Sequence, residues 1–184
     1  MKDHPYLRKP EPYLMKTELR GKKLFALIRP HLMKGDRILD SGCGYSPMAD
    51  LLLASGYGVT GFDINAEVVA HMKNHQSRGE WWCIPYEEAT FTGYTVLLLL
   101  GAGASWNGED FHDYLLRVIT QNQIRFIFME MAHSLRILPR HEGYNYALSI
   151  LQERGYHQID AGYYESGMDG LAATRTYNIF TRIE

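Results

Sequence analysis

Asp40, Gly42 and Gly44 sit within five residues, in the stretch Ile38-Leu39-Asp40-Ser41-Gly42-Cys43-Gly44-Tyr45-Ser46-Pro47, and Asp63 follows Asp40 by 23 positions. Gly42 and Gly44 allow a sharp turn and let the main chain come close to a ligand. A carboxylate at Asp63 can accept both hydroxyls of an adenosine ribose. Nicotinamide enzymes use the same series of strand, glycine loop, helix and ribose acid. Two details separate this chain from them. Asp40 precedes the first glycine, where a carboxylate suits a ligand with a free amino group and repels a pyrophosphate. The sixth loop position, a close-packing glycine in the dinucleotide pattern, is Pro47. Both favour a sulfonium amino acid over a dinucleotide.

These residues need a scaffold of alternating strands and helices. Arg37 to Asp40 reads as a strand, and Ser46-Pro47 as the start of a helix, with Ser46 at the N-cap and Pro47 in the first turn. Gly56 ends that helix in a left-handed conformation. Val59 to Asp63 is a second strand, Asn65 caps a helix over Ala66 to His75, and Trp81 to Ile84 is a short third strand. Thr95 to Leu100 is continuously apolar, as expected of a strand covered on both faces. A helix over Asp110 to Thr120, a strand over Ile124 to Met131 and a helix over His141 to Arg154 follow. Strands over His157 to Tyr163 and Thr174 to Ile183 close the chain without a helix between them. Ahead of all this, Pro5, Pro10 and Pro12 suggest an irregular first dozen residues. Thr17 then caps a helix whose apolar stripe is Leu24, Leu27 and Ile28. The pattern predicts one α/β domain with a mostly parallel sheet, helices on both faces and an antiparallel hairpin at one edge. Ligands in such sheets bind at the carboxyl ends of the strands, beside the switch point.

The stretch Ile38 to Gly44 resembles the first motif of class I S-adenosylmethionine-dependent methyltransferases. Gly61-Phe62-Asp63-Ile64-Asn65 resembles their second-strand acid followed by an apolar residue. The resemblance implies a Rossmann-like three-layer sandwich with a seven-stranded sheet over residues 21–184, preceded by an arm or lid over 1–20. It implies S-adenosylmethionine as cofactor, with Asp40, Gly42, Cys43 and Gly44 around the methionine moiety, Asp63 on the ribose and Ile64 beside the adenine. The chain departs from the family where Tyr45-Ser46-Pro47 replaces the usual third glycine. Trp82-Cys83-Ile84-Pro85 falls at the adenine edge without an acidic or amide residue at the usual contact.

Methyl transfer from a sulfonium is mainly a matter of in-line positioning, and a base is needed only when the acceptor must lose a proton. The loop after the fourth strand, often part of the acceptor site in this family, runs from Leu100 to Gly108. It lacks the Asn-Pro-Pro-Tyr and Asp-Pro-Pro-Tyr signatures of adenine-N6 and glutamine methylation. Gly101 and Gly103 leave room for a ligand beside the cofactor, and Trp106 could stack on a flat substrate. His133 follows the fifth strand and is the best candidate for a general base, since a histidine titrates near neutrality. His141, Glu142 and Tyr144 are weaker candidates. The eight histidines are scattered and form no metal-ligand spacing.

Composition sets the remaining bounds. With 184 residues, 46% hydrophobic and 22% charged, the chain suits one soluble domain. Its longest apolar run is too short to span a bilayer, and its start reads unlike a signal peptide. Cys43 and Cys83 cannot build a disulfide framework and read as buried thiols in a reducing cytoplasm. Residues 1–37 hold ten Lys or Arg against four Asp or Glu, a surplus of six positive charges, while the remainder is acidic and the total is −2. The basic segment reads as a solvated helix face or as a docking surface for an anionic partner such as RNA. Tyrosine is abundant, with 13 residues; Tyr6 and Tyr13 precede the core, and Tyr163, Tyr164 and Tyr177 lie in or near the last strands. The leading expectation is a small-molecule methyltransferase. An RNA or protein methyltransferase using the basic arm, a non-catalytic cofactor-binding subunit and a nicotinamide oxidoreductase are the alternatives.

Overall fold

A computed structural model describes residues 10–101, 108–132, 141–166 and 174–182. The elements in chain order are α1 (Pro10–Ile28), β1 (Arg37–Ser41), α2 (Ala49–Ala54), β2 (Gly58–Asp63), α3 (Ala66–His75), β3 (Glu80–Cys83), β4 (Val96–Leu100), α4 (Glu109–Gln121), β5 (Phe126–Ala132), α5 (His141–Glu153), β6 (Tyr156–Glu165) and β7 (Thr174–Arg182). The helix expected from Thr17 already begins at Pro10. Prolines are tolerated in a first turn, where their missing N–H has no intrahelical partner, so Pro10 and Pro12 start α1 instead of preventing it. Pro30 ends it, in a short 3-10 turn over Arg29–His31. The helix runs without a break through residues 20 and 21.

The seven strands form one sheet in the order β3-β2-β1-β4-β5-β7-β6. β1 to β5 are parallel. β7 lies antiparallel between β5 and β6, so the expected edge hairpin is present. The chain winds outward in both directions from β1 and β4, which places the switch point between them.

Side-chain alternation splits the interior in two. Leu39, Leu97, Ile127 and Met129 face α4 and α5, where they pack with Phe111, Tyr114, Leu115 and Leu151. Ile38, Leu98, Phe126 and Phe128 face the other way, with Leu24 and Ile28 of α1 and Leu52, Val69 and Met72 of α2 and α3. All five residues of β4 are buried, as a central strand covered on both faces requires. The same alternation puts Asp40 of β1 and Glu130 of β5 on the α1 side of the sheet, at its carboxyl edge. Among the described residues, no helix is long and apolar enough to cross a membrane.

Candidate functional site

Two carboxylates converge on the loop that joins β1 to α2. Asp40 is wholly buried. Its Oδ2 accepts a hydrogen bond from the Ser46 hydroxyl at 2.5 Å, and its Oδ1 has no partner. Asp63, half-buried at the end of β2, accepts the Gly44 N–H on Oδ2 and the Asn65 N–H on Oδ1, both at 2.9 Å. Burial pushes the Asp40 carboxyl up to about 7; the Ser46 hydroxyl and the Arg20 charge pull it down, and the Asp63 charge adds to the rise. The loop is held in left-handed turns, with φ of 64° at Gly42 and 51° at Gly44. The Cys43 N–H closes it onto the Phe62 carbonyl at 2.9 Å.

Ser46 departs from the sequence expectation. It has a φ of 26°, α2 begins three residues later at Ala49, and no side chain caps it. The cap position falls at Met48, and the Ser46 hydroxyl donates to Asp40. Asn65 does cap α3, its Oδ1 accepting from the N–H groups of Glu67 and Val68. The glycine that permits close packing lies outside the loop. A Cβ on Gly21 of α1 would stand 1.6 Å from the Pro47 carbonyl oxygen, so α1 meets the loop backbone to backbone and Pro47 needs no glycine of its own.

Cys43 is buried among Ile38, Val59 and Trp81, and burial raises its thiol well above the ordinary range, with Asp40 and Asp63 adding to the effect. It offers the loop its main chain. Cys83, expected to be buried, is exposed at the end of the edge strand β3. Ile64 is 75% exposed and Trp82 50% exposed, both at the same carboxyl edge as Asp63. Gly101, at the end of β4, has a φ of 72° and donates its N–H to the Glu130 carbonyl at 2.8 Å. Among the candidate bases, Tyr144 is buried in the core. His133 and Trp106 lie outside the described residues, as does Tyr6, and the side chains of Tyr13, His141 and Glu142 are likewise outside them. Among the described residues no group of three or more His, Cys, Asp or Glu could hold a metal ion.

A second buried charge cluster was not legible in the sequence. Glu130 is wholly buried and Arg20 and Arg175 are each 6% exposed. Arg20 donates through Nε and Nη2 to Oε1 and Oε2 of Glu130, at 3.2 and 2.6 Å. Arg175 donates through Nε to Oε1 and through Nη2 to Oε2, the latter at 2.8 Å. The Tyr164 hydroxyl adds a fifth bond, to Oε1, at 2.5 Å. Burial raises the Glu130 carboxyl, but the two guanidinium charges outweigh it and leave the group below its ordinary value. The available signal was one acid inside the apolar run Phe126 to Met131. Its partners come from residues 110 and 45 positions away, and Arg20 had been counted with a solvated basic face.

No protein-family model and no curated protein matches the chain. Solved structures do. A TehB-like S-adenosylmethionine-dependent methyltransferase from Corynebacterium glutamicum superposes with a TM-score of 0.64 at 18% identity, over 91% of this chain and 88% of that one. Magnesium protoporphyrin IX methyltransferase from Synechocystis, with S-adenosylhomocysteine bound, gives 0.67 at 14% identity, over 92% and 84%. The glycopeptide N-methyltransferase MtfA, in complex with S-adenosylmethionine, gives 0.64 at 11% identity, over 89% and 94%. The chain therefore has the Rossmann-like fold of the class I S-adenosylmethionine-dependent methyltransferases.

Proposed function

We propose that this chain binds S-adenosylmethionine and transfers its methyl group to a small-molecule acceptor. One observation carries the cofactor: the Asp40 carboxyl, buried under the glycine loop, has an oxygen with no partner. Leaving a buried polar atom unpaired costs about 1–3 kcal/mol, and an ammonium group from a ligand would recover that. Asp63 spends one bond from each oxygen on main-chain amides, which leaves each oxygen a lone pair for a ribose hydroxyl. Gly42, Cys43 and Gly44 bring main chain to the ligand, Ile64 offers exposed apolar surface to a flat base, and Gly101 borders the space next to it. S-adenosylmethionine bound there would supply a methyl group on a sulfonium with a neutral leaving group. The protein's contribution is then orientation and exclusion of water.

A small acceptor is favoured over RNA because four of the ten basic residues of the segment have partners within the chain. Arg20 is buried in the ion cluster, Lys22 pairs with Glu18, Lys23 donates to the Glu165 carbonyl, and Arg37 lies over the Tyr94 ring. The arm expected over residues 1–20 runs into α1, whose Arg20 is fixed in the ion cluster; deleting residues 1–9 should weaken acceptor binding and not cofactor binding. His133 follows the carboxyl end of β5, which fits a general base; His133→Ala should lower turnover and leave cofactor affinity alone.

Calorimetric titration with S-adenosylhomocysteine and with NADH tests the reading. Saturable binding of the first and none of the second is expected. No binding of S-adenosylhomocysteine at millimolar concentration would overturn it. Binding without methyl transfer to any acceptor in a broad panel would instead favour a non-catalytic subunit.

A further inference from the structure

The cluster around Glu130 has more donors than its carboxylate can serve. Five hydrogen bonds converge on Glu130, and a carboxylate has about four lone-pair sites. Each guanidinium commits only Nε and one N–H of Nη2 to it, of the five N–H groups it carries. Two guanidinium charges thus share the one carboxylate they bond, with Asp40 a second acid that feels the Arg20 charge, and N–H groups on each arginine are left over.

The exposed residue over this pair is Gly101. A Cβ built there would stand 3.0 Å from Nη2 of Arg175 and 3.3 Å from Nη2 of Arg20. Any other residue would therefore place carbon against both guanidinium groups at once. The glycine keeps a side chain off both groups at the carboxyl end of β4, on the side of the sheet that also holds Asp40. Forked donors match a planar carboxylate.

We infer that Arg20 and Arg175, reached past Gly101, form a carboxylate-binding site on the floor of the ligand cleft. The inference rests on the reading of the cleft as the S-adenosylmethionine and acceptor site. Two sources can supply the carboxylate: the acceptor, or the amino-acid tail of the cofactor.

The test uses the full chain with benzoate and acetate as carboxylates, and benzamide and acetamide as neutral counterparts. Binding is followed by thermal shift and calorimetry, with and without saturating S-adenosylhomocysteine. The carboxylates should bind and the amides should not. Arg175→Lys, which keeps the charge and loses the fork, should weaken carboxylate binding at least tenfold. Gly101→Ala, which sets a methyl group against Nη2 of both arginines at a φ of 72°, should do the same, with folding of both variants checked by thermal unfolding. Carboxylate binding that persists beside S-adenosylhomocysteine assigns the site to the acceptor. Displacement by it, with Arg175→Lys weakening S-adenosylhomocysteine but not the tail-less methylthioadenosine, assigns the site to the cofactor's tail. Carboxylate binding without any S-adenosylhomocysteine binding would keep the site and remove the cofactor reading. Equal response to carboxylates and amides, or unchanged carboxylate binding in both variants, would overturn the inference and leave the cluster as a structural tie between α1 and the sheet.

Discussion

Asp40 and Glu130 are both wholly buried, both on the α1 side of the sheet, and separated by the single strand β4. Their carboxyls nevertheless move in opposite directions. Asp40 has one hydrogen bond, an empty Oδ1 and a value pushed up to about 7. Glu130 has five bonds and two guanidinium partners, and falls below its ordinary value. Burial is common to both, so partners decide the sign. A carboxylate that the fold has satisfied holds structure together, whereas one that it has left short is available to a ligand. The two regions are joined by consecutive residues of α1: Arg20 holds Glu130, and Gly21 abuts Pro47 in the glycine loop.

The contrast is broken most severely at Glu130. Glu130→Ala strands two buried guanidinium groups and should cost about 3–5 kcal/mol, read as the loss in unfolding free energy by denaturant titration. A loss under about 1 kcal/mol, as for an exposed pair, would show that water reaches the cluster. Gly21→Ala attacks the joint. Overpacking of this kind costs roughly 1–3 kcal/mol, and because it forces α1 off Pro47 it should also weaken S-adenosylhomocysteine binding. Full affinity in a destabilised variant would separate the helix from the loop.

Asp40→Asn sharpens the contrast, since it should lower ligand affinity while relieving the apo protein at high pH. The sign follows from the raised value. Native Asp40 holds its proton where the unfolded chain, near 3.8, has lost it, so its contribution to stability is full below about 3.8 and is lost as pH rises to about 7. Wild type should therefore lose stability between pH 5 and pH 8 relative to Asp40→Asn. Ligand affinity should run the other way in wild type, because the ionised carboxylate is the form that accepts an ammonium group. About a tenfold gain from pH 6 to pH 8 is expected for a group titrating near 7, and a flat profile in the variant. Glu130 behaves oppositely: its lowered value adds stability above the ordinary 4.5 that is lost as pH falls through the native value. The smallest effect is expected at Asn65→Ala, which removes the α3 cap next to Asp63 and should cost about 1 kcal/mol in thermal unfolding, with little change in the pH profile of binding.

Local chemistry made much of this molecule readable in advance. Alternating apolar runs, the caps and stops at Asn65 and Gly56, and the glycine loop between Asp40 and Asp63 each depend on neighbours within a few residues, and they specified the strand-helix alternation and the carboxyl-edge cleft. Tertiary structure alone decided the environment of each charge. Ser46 looked like a helix cap, whereas its hydroxyl donates to the buried Asp40, and Arg20 looked solvated until α1 laid it against a strand 110 positions away. Close packing at Pro47 was settled by Gly21 in another element. A hydrogen-bond donor goes to the strongest acceptor within reach, and for a buried group only the folded chain determines which acceptor that is.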